Sequence, residues 1–272
     1  RRLVTTKTFN QPHPMTSQNK DDNAVDQKQQ PFLEHIVELR SRILRSLGFV
    51  AVLFLPIYYF AEPLFTWVAD PLMSRLPAGA GMIATQVASP FLAPFKLAIY
   101  AAIFVGVPFL LHQLWSFVSP GLYRHEKRFA LPLLVSSVVL FYCGMAFSYF
   151  LVFPIVFTFF IEISPTGISM MTDINQYLDF VMKMFLAFGL AFEIPVATLL
   201  MVWSGLTTPD AMAAKRPYII IGCFVLGMFL TPPDVVSQLL LALPMWLLFE
   251  VGVVLAKFVS RKEATKGDHE AG

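Results

Sequence analysis

Four short stretches of this sequence place charged or amide side chains where they could recognise a ligand or hold a proton. In AFGLAFEIPVATLL, residues 187–200, one carboxylate, Glu193, interrupts an apolar run, and Pro195 follows two positions on. FLEHIVELRSR, residues 32–42, puts Glu38 and Arg42 at i,i+4 with Arg40 between them, and PGLYRHEKRF, residues 120–129, surrounds Glu126 with Arg124, Lys127 and Arg128. TPPDVVSQ, residues 231–238, sets Asp234 and Gln238 on one helical face. Such groups can present an anionic site or carry a proton; they do not form a catalytic set. HExxH, GxxxxGK[ST] and GxSxG are absent, and none of the five histidines stands at ligand spacing with another ligand type. His125-Glu126 comes nearest and lacks the second histidine of a zinc site. The expectation is a protein that is not an enzyme and has neither metal nor cofactor. With no nucleotide-binding loop, any work across a membrane would draw on a gradient or a partner.

Each stretch also has a plain structural reading. Glu38 and Arg42 form an i,i+4 pair worth a few tenths of a kcal/mol on a solvated face. Basic loops such as the one around Glu126 commonly set topology. Asp234 suits the first turn of a helix, where a carboxylate meets the positive end of the dipole, and Gln238 fits helix association or ligand contact equally well. Glu250, seven residues before Lys257, lies near a polar interface, and Lys183 can reach a surface along its stem. Glu193 is different, because it lies roughly 15 and 24 Å from the two ends of its apolar run. Too deep to snorkel, it must be neutral, paired or facing water, and serves either a function or a hydrogen bond to a neighbouring helix.

The elements that position these residues are membrane helices. The chain of 272 residues is 56% hydrophobic and only 14% charged, against about 25% in an ordinary soluble domain, and its mean hydropathy is +0.64. Six apolar runs, about 46–61, 94–115, 129–161, 177–203, 217–230 and 235–256, alternate with polar joints. Ser/Thr-Pro pairs at 89–90, 119–120, 164–165, 208–209 and 231–232 are helix openings. Arg40, Arg42 and Arg45 precede the first run, Arg124, Lys127 and Arg128 the third, Lys215 and Arg216 the fifth, and Lys257, Arg261 and Lys262 follow the sixth. The positive-inside rule therefore places both termini in the cytoplasm. The run 129–161, about 50 Å as a helix, is expected to be one long helix that tilts or projects, whereas 217–230, about 21 Å, is too short to cross a core of about 30 Å unaided. Residues 1–30 read as a disordered polar tail, with Met15 a candidate natural start that would leave 1–14 non-native. Residues 31–258 form the membrane domain and 259–272 a cytoplasmic tail. Cys143 and Cys223 read as small buried hydrophobes, and a net charge of +2 gives no argument for nucleic acid.

HIVELRSR (35–42), ASPF (88–91), LYRHEKR (122–128), FYCGMAFSYFLVFPI (141–155), FVMKMFLAFGLAFEIPVA (180–197), KRPY (215–218) and TPPDVVSQLLLALPMWLLFE (231–250) together resemble the TatC family, the multispanning receptor subunit of the twin-arginine protein translocase. The resemblance covers about 31–258 and implies an all-α, glove-shaped membrane protein of six transmembrane helices, with short fifth and sixth helices and both termini cytoplasmic. It implies recognition of twin-arginine signal peptides of folded proteins by Glu38 and Glu126, with Arg40, Arg124, Arg128 and Phe117 around them. A guanidinium donates two parallel hydrogen bonds to a carboxylate, so such a site would discriminate against lysine. Glu193 matches an intramembrane glutamate, which with Gln238 would meet single-span TatA/TatB-type partners, and Pro71, Asp173 and Asp234 also fall on family positions. The bacterial cytoplasmic membrane, homo-oligomers within the receptor complex and dependence on the proton-motive force follow from the resemblance as well. Read without it, the residues leave two other classes open: an ion-coupled small-molecule transporter using Glu193 as its proton site, and a purely structural scaffold.

Overall fold

A computed structural model of the chain describes the backbone of residues 18–76, 80–118, 127–163, 171–230 and 235–270, and side chains over 36–76, 80–117, 131–163, 171–230 and 235–259. The chain divides into two compact units at Arg45/Ser46. Helix α1 (Gln18–Tyr59) opens inside the stretch expected to be a polar tail. In the N-terminal unit its side chains pair within the helix, Arg42 Nε donating to Glu38 Oε1 at 3.0 Å and Arg45 to the Ser41 hydroxyl at 2.9 Å.

From Ser46 onward the elements run α2 (Ala61–Met73), β1 (Gly81–Ile83), α3 (Ser89–Val118), α4 (Lys127–Phe147), a π-helical turn (Ser148–Val152), α5 (Phe153–Glu162), β2 (Met171–Asp173), α6 (Ile174–Ala191), α7 (Ile194–Trp203), α8 (Pro209–Ala214), α9 (Arg216–Leu230) and α10 (Val235–Glu270). Among the described residues, five helical stretches are long and apolar enough to cross a membrane: Ile36–Tyr59, Ser89–Phe117, Leu131–Glu162, Ile174–Trp203 and Val235–Val259. The fifth apolar run is short, as its length requires, at 15 residues, Arg216–Leu230. The last is not, since its apolar stretch extends over 25 residues, so the expectation of a short sixth helix does not hold. The long third run is a single helical path through the π turn. Cys143 corrects the reading of both cysteines as buried: it is exposed on α4, and only Cys223 is enclosed.

Helix α6 is the most enclosed element, with Leu178, Val181, Met184 and Phe188 wholly buried. Lipid tails are as apolar as the side chains, so helices here associate through close packing, which small residues permit. A Cβ on Gly144 of α4 would overlap the Phe188 carbonyl of α6, and one on Gly189 would meet the Phe141 ring at 2.6 Å. Gly252 makes the same allowance for Thr198 and Pro195 where α10 crosses α7. The membrane part of α1 rests on α3 through stacked Phe49 and Phe109, 4.3 Å between centroids, and Phe54 edge-on to Phe95 at 5.1 Å.

At one end of this unit a polar clamp joins segments far apart in sequence. Strands β1 and β2 pair in parallel, Gly81 opposite Met171 and Ile83 opposite Asp173. Asp173 caps α6, accepting from the Asn175 and Gln176 amides at 2.9 and 3.1 Å, and also accepts from the Thr85 amide at 3.0 Å and hydroxyl at 2.6 Å. The Thr85 hydroxyl is the chief reason the Asp173 carboxyl is lowered from 3.8 to about 2. Asn175 donates to Ser89 at 2.5 Å, while the hydroxyls of Tyr149 and Tyr177 donate to the carbonyls of Trp67 and Val68 at 3.0 and 2.8 Å, fixing α2. Opening α3 at Ser89 and α8 behind its Thr208 cap agrees with the Ser/Thr-Pro reading.

Two outcomes follow from this packing and capping. Gly144→Ala should lower stability by about 1–3 kcal/mol, seen as a lower melting temperature in detergent, because the overlap is with backbone; Gly48→Ala, whose Cβ meets nothing within 4 Å, should not. A depressed folded pKa contributes stability that is complete above the unfolded value and fades below it. The melting-temperature gap between the wild type and Asp173→Asn should therefore hold at neutral pH and shrink as pH falls from 3.8 toward about 2; a gap unchanged across that window would refute the assignment.

Candidate functional site

Glu193 sits at a break. Residues 192–193 form a turn between α6 and α7, where the Glu193 amide donates to Leu190 at 3.1 Å, three residues back rather than four. Pro195 accounts for the break, because it has no N–H for the carbonyl of Ala191 and its ring crowds that turn. The next turn resumes normally, with Ala197 N–H donating to the Glu193 carbonyl at 2.9 Å. The polar side chain beside Glu193 is Ser137 of α4, itself fully buried. Neither Glu193 Oε1 nor Ser137 Oγ reaches a hydrogen-bond partner among the described residues, although both atoms are enclosed. Trp115, Leu133 and Val196 pack into an apolar cluster from α3, α4 and α7, the latter two helices flanking this pair. The arrangement is an acidic side chain at mid-helix, half-buried, with one hydroxyl for company and spare hydrogen-bonding capacity in apolar surroundings.

Gln238 has a definite structural partner. Its amide donates to the Phe224 carbonyl of α9 at 2.9 Å, and Gly227 leaves room for its side chain, so of the two readings open in the sequence the geometry supplies helix association. Asp234 lies outside the described residues. Pro71 is buried within α2, its carbonyl accepting from Arg75 at 2.9 Å. Asp173 is the clamp residue described above. Glu250 accepts two hydrogen bonds from Arg216, at 2.6 and 2.8 Å, which ties α10 to the start of α9 and bears out its structural reading.

Of the residues expected at a surface recognition site, Glu38, Arg40 and Phe117 are described. Glu38 lies on α1, partly exposed and engaged by Arg42; Arg40 is exposed on the same helix, and Phe117 is near the end of α3. Arg124 and Glu126 lie outside the described residues, as does the side chain of Arg128, so their placement relative to Glu38 is not part of the geometry. Sequence reading missed Ser137, for which the adjacent pair Ser136-Ser137 inside a span was the available signal. It also missed Thr85, which sits in an unremarkable loop and gains meaning only when β1 meets β2.

Comparison with known proteins agrees with this architecture. The family model described as Sec-independent protein translocase protein (TatC) matches residues 34–244. The chain is similar to the protein of that name from Azotobacter chroococcum, 57% identical over 233 residues, covering 86% of this chain and 91% of the relative. It is likewise similar to the one from Escherichia coli K12, 51% identical over 229 residues, with 84% and 89% covered. Among solved structures, the crystal structure of the twin-arginine translocase receptor TatC superposes with a TM-score of 0.76 at 33% identity, covering 83% of this chain and 99% of that one. A helical membrane fold with this matched span and these relatives has one consequence: the chain belongs to the TatC family of Sec-independent protein translocase components.

Proposed function

We propose that this protein is the receptor subunit of a twin-arginine translocase in the bacterial cytoplasmic membrane. It is multi-pass with both termini in the cytoplasm, and it binds twin-arginine signal peptides of folded proteins. The observation that carries the reading is the carboxylate of Glu38, which is partly exposed on α1 and already binds a guanidinium, that of Arg42. An i,i+4 ion pair on a helix is worth only a few tenths of a kcal/mol, so an incoming arginine can exchange for Arg42 at small cost. Glu126 supplies the second carboxylate for the signal peptide, and Arg40, Arg124, Arg128 and Phe117 are further residues that the peptide contacts. The signal's apolar segment adds affinity by lying against the membrane helices.

Glu193 serves the second task, assembly with single-span TatA/TatB-type subunits under the proton-motive force, with copies of the receptor joining in the same complex. The enclosed and unpartnered Oε1 supports this, because a polar side chain from another helix would satisfy it inside the bilayer. Gln238 contributes indirectly by holding α9 against α10.

Glu38→Gln combined with Glu126→Gln should weaken binding of a twin-arginine peptide by at least about 100-fold, the loss of two charge-assisted contacts. The melting temperature should not move; unchanged binding in a peptide titration would rule out the site. Glu193→Ala should reduce site-specific crosslinking between α7 and a single-span partner while leaving peptide binding intact. A variant that changes stability alone would leave Glu193 a structural residue.

A further inference from the structure

Helices α7 to α10 line a cavity of about 380 Å3 that is open to one side, where Lys215 and Tyr218 are exposed. Its walls are apolar and include Met201, Met212, Leu226 and Phe249, whereas Thr207, Lys215 and Tyr218 give it polar groups along the joint before α9. Two independent observations distinguish it. The first is Gly222, inside α9, where glycine costs up to about 1 kcal/mol relative to alanine. Gly144, Gly189, Gly227 and Gly252 each make room for a close neighbour; a Cβ on Gly222, as on Gly48 of α1, would meet nothing within 4 Å, and Gly222 lines the cavity. Its missing side chain keeps the space open. The second is charge. Arg216 is held by Glu250 and Lys257 by Asp210 at 3.3 Å, while Lys215, which lines the cavity, makes no ion pair among the described residues.

We propose that this cavity binds one anionic phospholipid of the surrounding bilayer, with an acyl chain between α7, α9 and α10 and its phosphate on Lys215. An apolar cavity carrying one unpaired cation and a tyrosine suits an amphiphile whose charge and tail are joined. A free phosphate would leave the apolar space empty, and a zwitterionic lipid brings its own cation to compete with Lys215 for the phosphate. Helix α9 favours the arrangement further. Its 15 residues span about 22 Å of a core of roughly 30 Å, so headgroups near its first turn are drawn inward to the level of Lys215. The methionine walls adapt to a flexible chain. This site is independent of signal-peptide recognition, and its failure would leave that reading untouched.

The test is native mass spectrometry of the full chain after exchange from nanodiscs containing equal phosphatidylglycerol and phosphatidylcholine. The wild type should retain one phosphatidylglycerol in preference to phosphatidylcholine. Lys215→Gln should lower that preference about fivefold, the effect of one interfacial lysine, and Lys215→Arg should keep it. Gly222→Leu fills the cavity and should abolish retention of either lipid with the melting temperature and twin-arginine peptide binding unchanged. Should that variant melt lower than the wild type, Ala197→Phe fills the same space from α7 and takes its place. Equal retention of the two lipids by the wild type, or full retention by the cavity-filled variant, overturns the proposal.

Discussion

A proline in a membrane helix leaves one carbonyl without its donor, and the apolar surroundings offer no water to replace it. Two such prolines shape this protein. Pro195 cannot donate to Ala191, and the helix answers with a break at residues 192–193. Pro154 cannot donate to Phe150, and the chain responds just before it with the π-helical turn Ser148–Val152. In each case the departure re-aims a side chain with a polar end. The π turn carries Tyr149 onto Trp67, with rings 4.5 Å apart and 11° from parallel, and directs its hydroxyl to the Trp67 carbonyl. The break leaves Glu193 at the head of α7 beside Ser137.

Small residues convert these local departures into a particular packing. Gly144 and Gly189 bring α4 and α6 into near backbone contact, and Gly252 does the same for α10 against Thr198 and Pro195. Because α7 is held this closely just after the break, Glu193 cannot be relieved by a drift of its helix toward a polar surface. Its enclosed carboxylate oxygen lies beside the same close packing that holds the bundle together.

Much of this was legible in the chain. Apolar run lengths located the spans, the anomalous depth of Glu193 followed from counting residues, and the short fifth helix follows from 217–230 alone. The breaks were less legible for a physical reason: Pro94, Pro108, Pro132 and Pro244 lie inside helices that continue past them. Proline marks a lost hydrogen bond, but whether the backbone bends, widens or breaks depends on neighbours that only the fold supplies. Thr85 was illegible for a similar reason. Its meeting with Asp173, 88 residues away, depends on a three-residue strand pairing too short to leave a periodic pattern. The helix Ala61–Met73 fell between runs judged by transmembrane length, and its tyrosine anchors come from α6 and the π turn.

The polar groups of this protein differ in how completely they are satisfied, and the difference orders their roles. Asp173 accepts four hydrogen bonds and holds its end of the bundle by contacts that nothing else needs to complete. Gln238 and Glu250 are likewise committed, each joining α10 to α9. Glu38 is held by an arginine one turn away, a bond weak enough to be exchanged for another of the same kind. Glu193 is the extreme case, enclosed and still lacking a partner for one oxygen among the described residues. Leaving such a group unmatched costs stability, typically about 1–3 kcal/mol and more when it is charged. Asp173 and Glu250, by contrast, are matched by donors from their own chain. Under the function proposed above, the hydrogen bond missing at Glu193 would arrive on another chain.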